Sequence, residues 1–142
     1  SSKIKISKNL KLEDLIASAN GSPGQLLKNI EIWNELSDEI IRKLDYPTNN
    51  IQEILELSKV ISEQLAIDQQ ICLVNFIQIV WWRKIKNIDV IEELENLKIY
   101  LRKNVNPRLT WEITFLKISM MNILLPYIQL TMKASLLLKI CL

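Results

Sequence analysis

An all-α fold is predicted by three features of this 142-residue sequence. Helix breakers are few: Gly21 and Gly24, with Pro23, Pro47, Pro107 and Pro126, and they leave long stretches uninterrupted. Within those stretches apolar residues recur at helical spacing, and no strand-type alternation competes with them. The hydrophobic share of 49% is enough to bury a core without disulfides or metals.

Lys11 to Ala19 forms the first amphipathic helix, with Leu12, Leu15 and Ile16 on its stripe. Asn20-Gly21 closes it, because glycine adopts the left-handed conformation that ends helices. Residues 1–9 are short, basic and irregular, and nothing definite is expected there. Ser22 then supplies a capping oxygen, and Pro23 has the φ of a first helical turn. The second helix carries Leu26, Leu27, Ile30 and Trp33 on one face. Ser37 caps a short third helix holding Ile40, Ile41 and Leu44. Asp45-Tyr46-Pro47-Thr48-Asn49-Asn50 is the clearest break, and a domain boundary is expected there, between 1–46 and 47–142.

Residues 51–66 repeat Ile51, Ile54, Leu55, Ile61 and Leu65, with Glu53, Glu56 and Glu63 outward. Asp68 is expected to cap the next helix, which is apolar nearly all round from Ile71 to Trp82 and so marks a central buried element. It is too short to span a bilayer. Asp89 is the expected cap of a helix striped by Val90, Leu94, Leu97 and Leu101. Its early acids and late bases complement the helix dipole. Asn106 caps a last helix beginning at Pro107, with Leu109, Ile113, Leu116 and Met120 at helical spacing. The apolar stretch from about 120 to Leu142 is atypical. Its alternatives are an extra interface helix, a poorly ordered end, a shifted reading frame or a membrane segment. Against the last, Lys133 costs about 2.5–3.5 kcal/mol on insertion scales, and Pro126 should break the helix.

The chemistry-bearing inventory is thin. The sequence has no His, and Cys72 and Cys141 stand far apart, so metal sites lack clustered ligands. No phosphate-binding glycine loop is present, and the Glu92-Glu93 pair belongs to a solvated face. No catalytic group and no cofactor are therefore expected. A net charge of +2 gives no case for nucleic acid, and a reducing cytoplasm is the default compartment. Adjacent Trp81 and Trp82 point about 100° apart on a helix, so either both are core or one reaches a second surface as an interface anchor.

Two segments carry a family resemblance. Ala17-Ser18-Ala19-Asn20-Gly21-Ser22-Pro23-Gly24-Gln25-Leu26-Leu27 resembles the A-x-G-S-P-G-x-A-L segment in the helical lid of a clamp-loader AAA+ module. Asn104-Val105-Asn106-Pro107-Arg108-Leu109-Thr110-Trp111-Glu112 resembles the N-x-N-P-R-L-x-x-E segment of the last collar helices. Glu63 to Trp82 is similar to collar helices of the delta-prime family of bacterial clamp-loader subunits. The resemblance covers residues 12–120 and lapses after about Ser119.

It implies a helical collar domain over 47–142, preceded by the end of an AAA+ lid over 1–46, with further domains upstream of Ser1. It also implies a subunit that helps assemble the ring that loads the sliding clamp onto DNA. The lid motif is Gly21, Ser22, Pro23 and Gly24. ATP-binding members carry a phosphate-sensing arginine where Gly24 stands, so no nucleotide role is expected. The partners implied are other loader subunits, met through the collar, with no membrane and no DNA contact by this segment. Trp81, Trp82, Tyr100, Arg108 and Trp111 are the interface candidates. The competing reading is a general helical adaptor unrelated to replication.

Overall fold

The computed structural model describes the backbone of residues 12–141 and the side chains of 13–121 and 133–140. The expected helix start at Lys11 and the side chains of the apolar run 122–132 lie outside the described residues. Among the described residues seven helices follow one another: α1 (Leu12–Ser18), α2 (Pro23–Glu35), α3 (Asp38–Lys43), α4 (Ile51–Gln64), α5 (Ile67–Ile85), α6 (Ile88–Arg102) and α7 (Pro107–Cys141). No strand occurs among the described residues, and the fold is all-α.

Local chemistry sets the helix ends. The Ser22 and Ser37 hydroxyls accept from the backbone N–H of Gln25 and Ile40, each at 3.3 Å. Asn50 accepts from Gln52 and Glu53, and Asn106 from Leu109. Gly21 takes φ +76° after α1, where a β-carbon would be strained. Two expected caps are corrected. Asp68 lies inside the first turn of α5, whose N-cap is Ala66; the Ala66 N–H donates to Gln69 Oε1 at 2.8 Å. Asp89 likewise follows the true cap, Asn87, whose side chain accepts from the Asp89 N–H at 3.0 Å. In both cases the helix begins one residue before the acid, which then sits where the dipole favours negative charge.

α5 is the central element. Leu73, Val74, Ile77, Val80 and Trp81 are buried, and α1, α2, α4 and α6 all pack on it. α7 packs on α4 and α6, adding Trp111, Phe115 and Ile118 to the same core. That core is one cluster drawing residues from both sides of Pro47. Three contacts tie the N-terminal helices to α5: Trp33 packs edge-on against Phe76 with centroids 4.3 Å apart, Arg83 pairs with Asp14, and Lys84 donates to the Asp45 carbonyl at 2.9 Å.

Several apolar residues assigned to stripes face out instead. Ile16, Leu27, Ile51 and Leu55 are exposed, while Ile32 and Leu57 take core places beside their buried neighbours. A stripe three to four residues wide leaves its edge positions in solvent once the partner helix is narrow. Pro126 does not break the last helix either; α7 runs through it to Cys141. Proline removes one backbone hydrogen bond and crowds the preceding turn, which a long helix can absorb without ending.

Candidate interaction surface

Among the described residues no group of three or more His, Cys, Asp or Glu is placed to hold a metal ion. No helix among them is long and apolar enough to cross a membrane. Surfaces therefore become the candidates, and the five interface residues divide between core and surface. Trp81 and Trp111 are core residues, 2% and 0% exposed. Each indole N–H is satisfied internally, by the Leu44 carbonyl and by Gln70 Oε1, both at 2.8 Å. Trp81 of α5 packs near Phe115 of α7, and Trp111 of α7 bonds to Gln70 of α5, so both indoles are spent inside the fold. Trp82 is 44% exposed. Its neighbour having turned inward, the 100° step along the helix carries it out.

Trp82 opens on a groove of about 480 Å³ between the end of α1, α5 and α6, where Asn20, Asn75, Gln78, Ile88 and Lys98 also lie. Lys98 is buried there, and its ammonium donates to Asn75 Oδ1 at 2.9 Å while pairing with Glu95. Gln78 donates to Glu95 at 2.9 Å. The hydrogen bond from Lys98 is the main reason the Glu95 carboxyl is held below the usual carboxylate range; partial burial opposes it, and the Gln78 bond adds to it. A lowered folded-state pKa gives stability that is present above the ordinary value near pH 4 and lost as pH falls through the folded value. Glu95 is half exposed, so its share stays below about 1 kcal/mol. Urea titrations at neutral and acid pH should show Glu95→Gln losing less stability on acidification than the parent. Equal losses would remove Glu95 from the account.

Tyr100, near the end of α6, and Arg108, near the start of α7, are exposed. Arg108 is engaged locally, its Nε 3.1 Å from Glu112 across one turn of α7. Beside them, Leu109, Ile113 and Met120 are exposed, with Leu116 half-buried at their edge. These four residues form the stripe noted at helical spacing in the sequence. Leu109, Ile113 and Met120 face solvent, and Leu116 packs only partly against the core, because α7 carries a second stripe, Trp111, Phe115 and Ile118, at i, i+4 and i+7, and the bulkier aromatic face wins the interior. That rival pattern was present in the sequence, and both together mark a helix apolar on two sides. Further along, Leu136, Leu137, Leu138 and Ile140 are exposed as well.

Gly24 lies in the first turn of α2, with open space where a side chain would project. Packing therefore does not demand glycine at this position. Gly21, Ser22 and Pro23 form the exposed turn and cap that lead into it.

The model of the family described as "Cyanobacterial DNA polymerase III delta prime, C-terminal domain" matches residues 2–118. No curated protein matches the chain, and no solved structure does.

Proposed function

The chain belongs to the DNA polymerase III delta prime C-terminal domain family, and from that premise we propose that it holds clamp-loader subunits together and performs no chemistry itself. The observation that carries this reading is the family match itself, which spans both resembling segments and most of the chain. An all-α domain whose large internal side chains are satisfied internally suits a scaffold, and a helix apolar on two faces suits one that joins others. In this reading residues 1–46 are the end of an AAA+ lid and 47–142 a collar domain. The Asp14–Arg83 and Lys84–Asp45 contacts then couple the lid to the collar. Gly24 leaves the lid motif without a phosphate-sensing cation, consistent with a subunit that supports ATP hydrolysis by others. The place of action is the cytoplasm, where the DNA is.

Size-exclusion chromatography of the purified chain with the remaining loader subunits is the test. The expected result is co-elution in a single larger species. A chain that elutes alone beside an otherwise intact complex would refute the proposal.

A further inference from the structure

The groove beside Trp82 plays no part in the assembly reading, and its hydrogen-bonding groups are only half used. Asn75 and Gln78 stand one turn apart on α5, about 4.5 Å along its axis. Asn75 Oδ1 accepts from the Lys98 ammonium at 2.9 Å. Gln78 Nε2 donates to Glu95 at 2.9 Å and to the Ile91 carbonyl at 3.3 Å. Among the described residues nothing bonds to Asn75 Nδ2 or to Gln78 Oε1. The two residues therefore bring an unused donor and an unused acceptor to one groove. One residue of an extended chain presents the matching pair, its C=O and N–H, to a single side. Trp82 lies a further turn along α5, where Ile79 and Ile88 line the same groove, and Trp82 and Ile88 are exposed. That step of about 6 Å corresponds to two residues of extended chain.

Charge narrows the ligand further. The Lys98 ammonium is buried and already paired with Glu95. On α6 and the turn before it, exposed Asp89 and Glu92 stand against exposed Lys86 and Arg102, and Glu93 is paired with Lys117. These charges balance, so neither an acidic nor a basic segment is favoured. A phosphate chain meets one lining cation, and that cation is neutralised. A helical ligand fits poorly too, because a helix spends its own N–H and C=O groups internally. The volume of about 480 Å³ lies within the range of small-ligand pockets and suits a few extended residues.

We propose that the α5–α6 groove is a peptide-binding site for a short, extended, uncharged segment of a partner polypeptide. Asn75 and Gln78 clamp the main chain of one residue, and an apolar side chain two residues away rests on Trp82. The site is independent of subunit assembly and can be tested on this chain alone. Because Trp82 is exposed, alanine there leaves the core untouched.

The experiment screens the full chain and its Trp82→Ala variant against an array of acetylated, amidated hexapeptides of random sequence. Peptides that bind are then titrated by fluorescence anisotropy, with thermal unfolding run on both proteins. The parent should select uncharged sequences carrying a large apolar residue. Trp82→Ala should weaken their binding at least about 10-fold, as loss of an aromatic anchor does, with the melting temperature of the parent. N-methylation of the selected peptide should abolish binding at the one residue whose N–H Gln78 accepts, a change that leaves the protein untouched. No peptide bound by the parent, or equal binding by Trp82→Ala, would overturn the proposal. So would selection of acidic or basic sequences, or binding indifferent to N-methylation at every position. An oligothymidine that binds the parent and is lost with Trp82→Ala would assign the groove to nucleic acid instead. Co-elution with the loader subunits should be the same for both proteins; its loss in Trp82→Ala alone would make the groove a subunit contact and overturn the proposal. Failure of the parent to co-elute would sink the assembly reading, while the array result would still decide the groove.

Discussion

Trp111→Ala should lower folding stability by about 3–5 kcal/mol, the range for removing a large aromatic side chain from a core. Trp111 has no exposed surface, and its ring lies 5.3 Å from that of Phe115 between α7 and the central helix. The substitution does more than open a cavity. The indole N–H donates to Gln70, itself buried, whose amide donates in turn to the Leu65 carbonyl at 2.9 Å. Deleting the indole leaves the Gln70 oxygen unpaired in the interior, which adds a desolvation penalty of about 1–3 kcal/mol if no water replaces it. Since whole domains are stable by only about 5–15 kcal/mol, the variant should be close to unfolding at physiological temperature. Urea denaturation checks this: the midpoint should fall with little change in slope. Trp111→Phe separates the two effects, keeping much of the volume while still orphaning Gln70. A midpoint unchanged in Trp111→Ala would mean that α7 does not close the core as described.

Trp81→Ala should cost a similar amount, about 3–5 kcal/mol, with a different local signature. Trp81 packs 6.0 Å from Phe115 on one side and fixes the connector between α3 and α4 on the other. Its N–H donates to the Leu44 carbonyl, one residue before the Lys84–Asp45 contacts. Without the ring, the connector loses its main attachment to α5. Hydrogen exchange should therefore accelerate at residues 45–50 beyond what the global destabilisation explains. Trp81→Phe should cost less and still free the Leu44 carbonyl. Retained protection of the connector in Trp81→Ala would show that Lys84 and Pro47 hold it without the tryptophan.

Most of the helical framework was legible because local chemistry writes it plainly. Ser22-Pro23, Ser37 and Asn106-Pro107 mark starts that the structure reproduces, and Asn20-Gly21 marks an end. Asp68 and Asp89 misled because an acid in the first turn and an acid at the cap look alike in sequence. Asn87 and Ala66 precede them and act by other bonds. Which face is inside was harder to read. In α7 two apolar stripes compete, and only the shape of the space between α4 and α6 selects Trp111, Phe115 and Ile118 over Leu109, Ile113 and Met120. The same holds for Trp81 and Trp82: their divergence follows from helix geometry, but which one turns inward depends on the neighbours. The groove around Lys98 was hidden for a related reason. Asn75 and Lys98 stand on different helices, 23 residues apart, and nothing local pairs them.

The central claim is that this chain is an assembly element of a clamp loader, and native mass spectrometry of the reconstituted loader tests it most directly. The account predicts a complex whose mass includes the 16.6 kDa chain together with the other subunits. Contradiction would be a complex assembled at full occupancy from those subunits while the chain is detected only at its own mass.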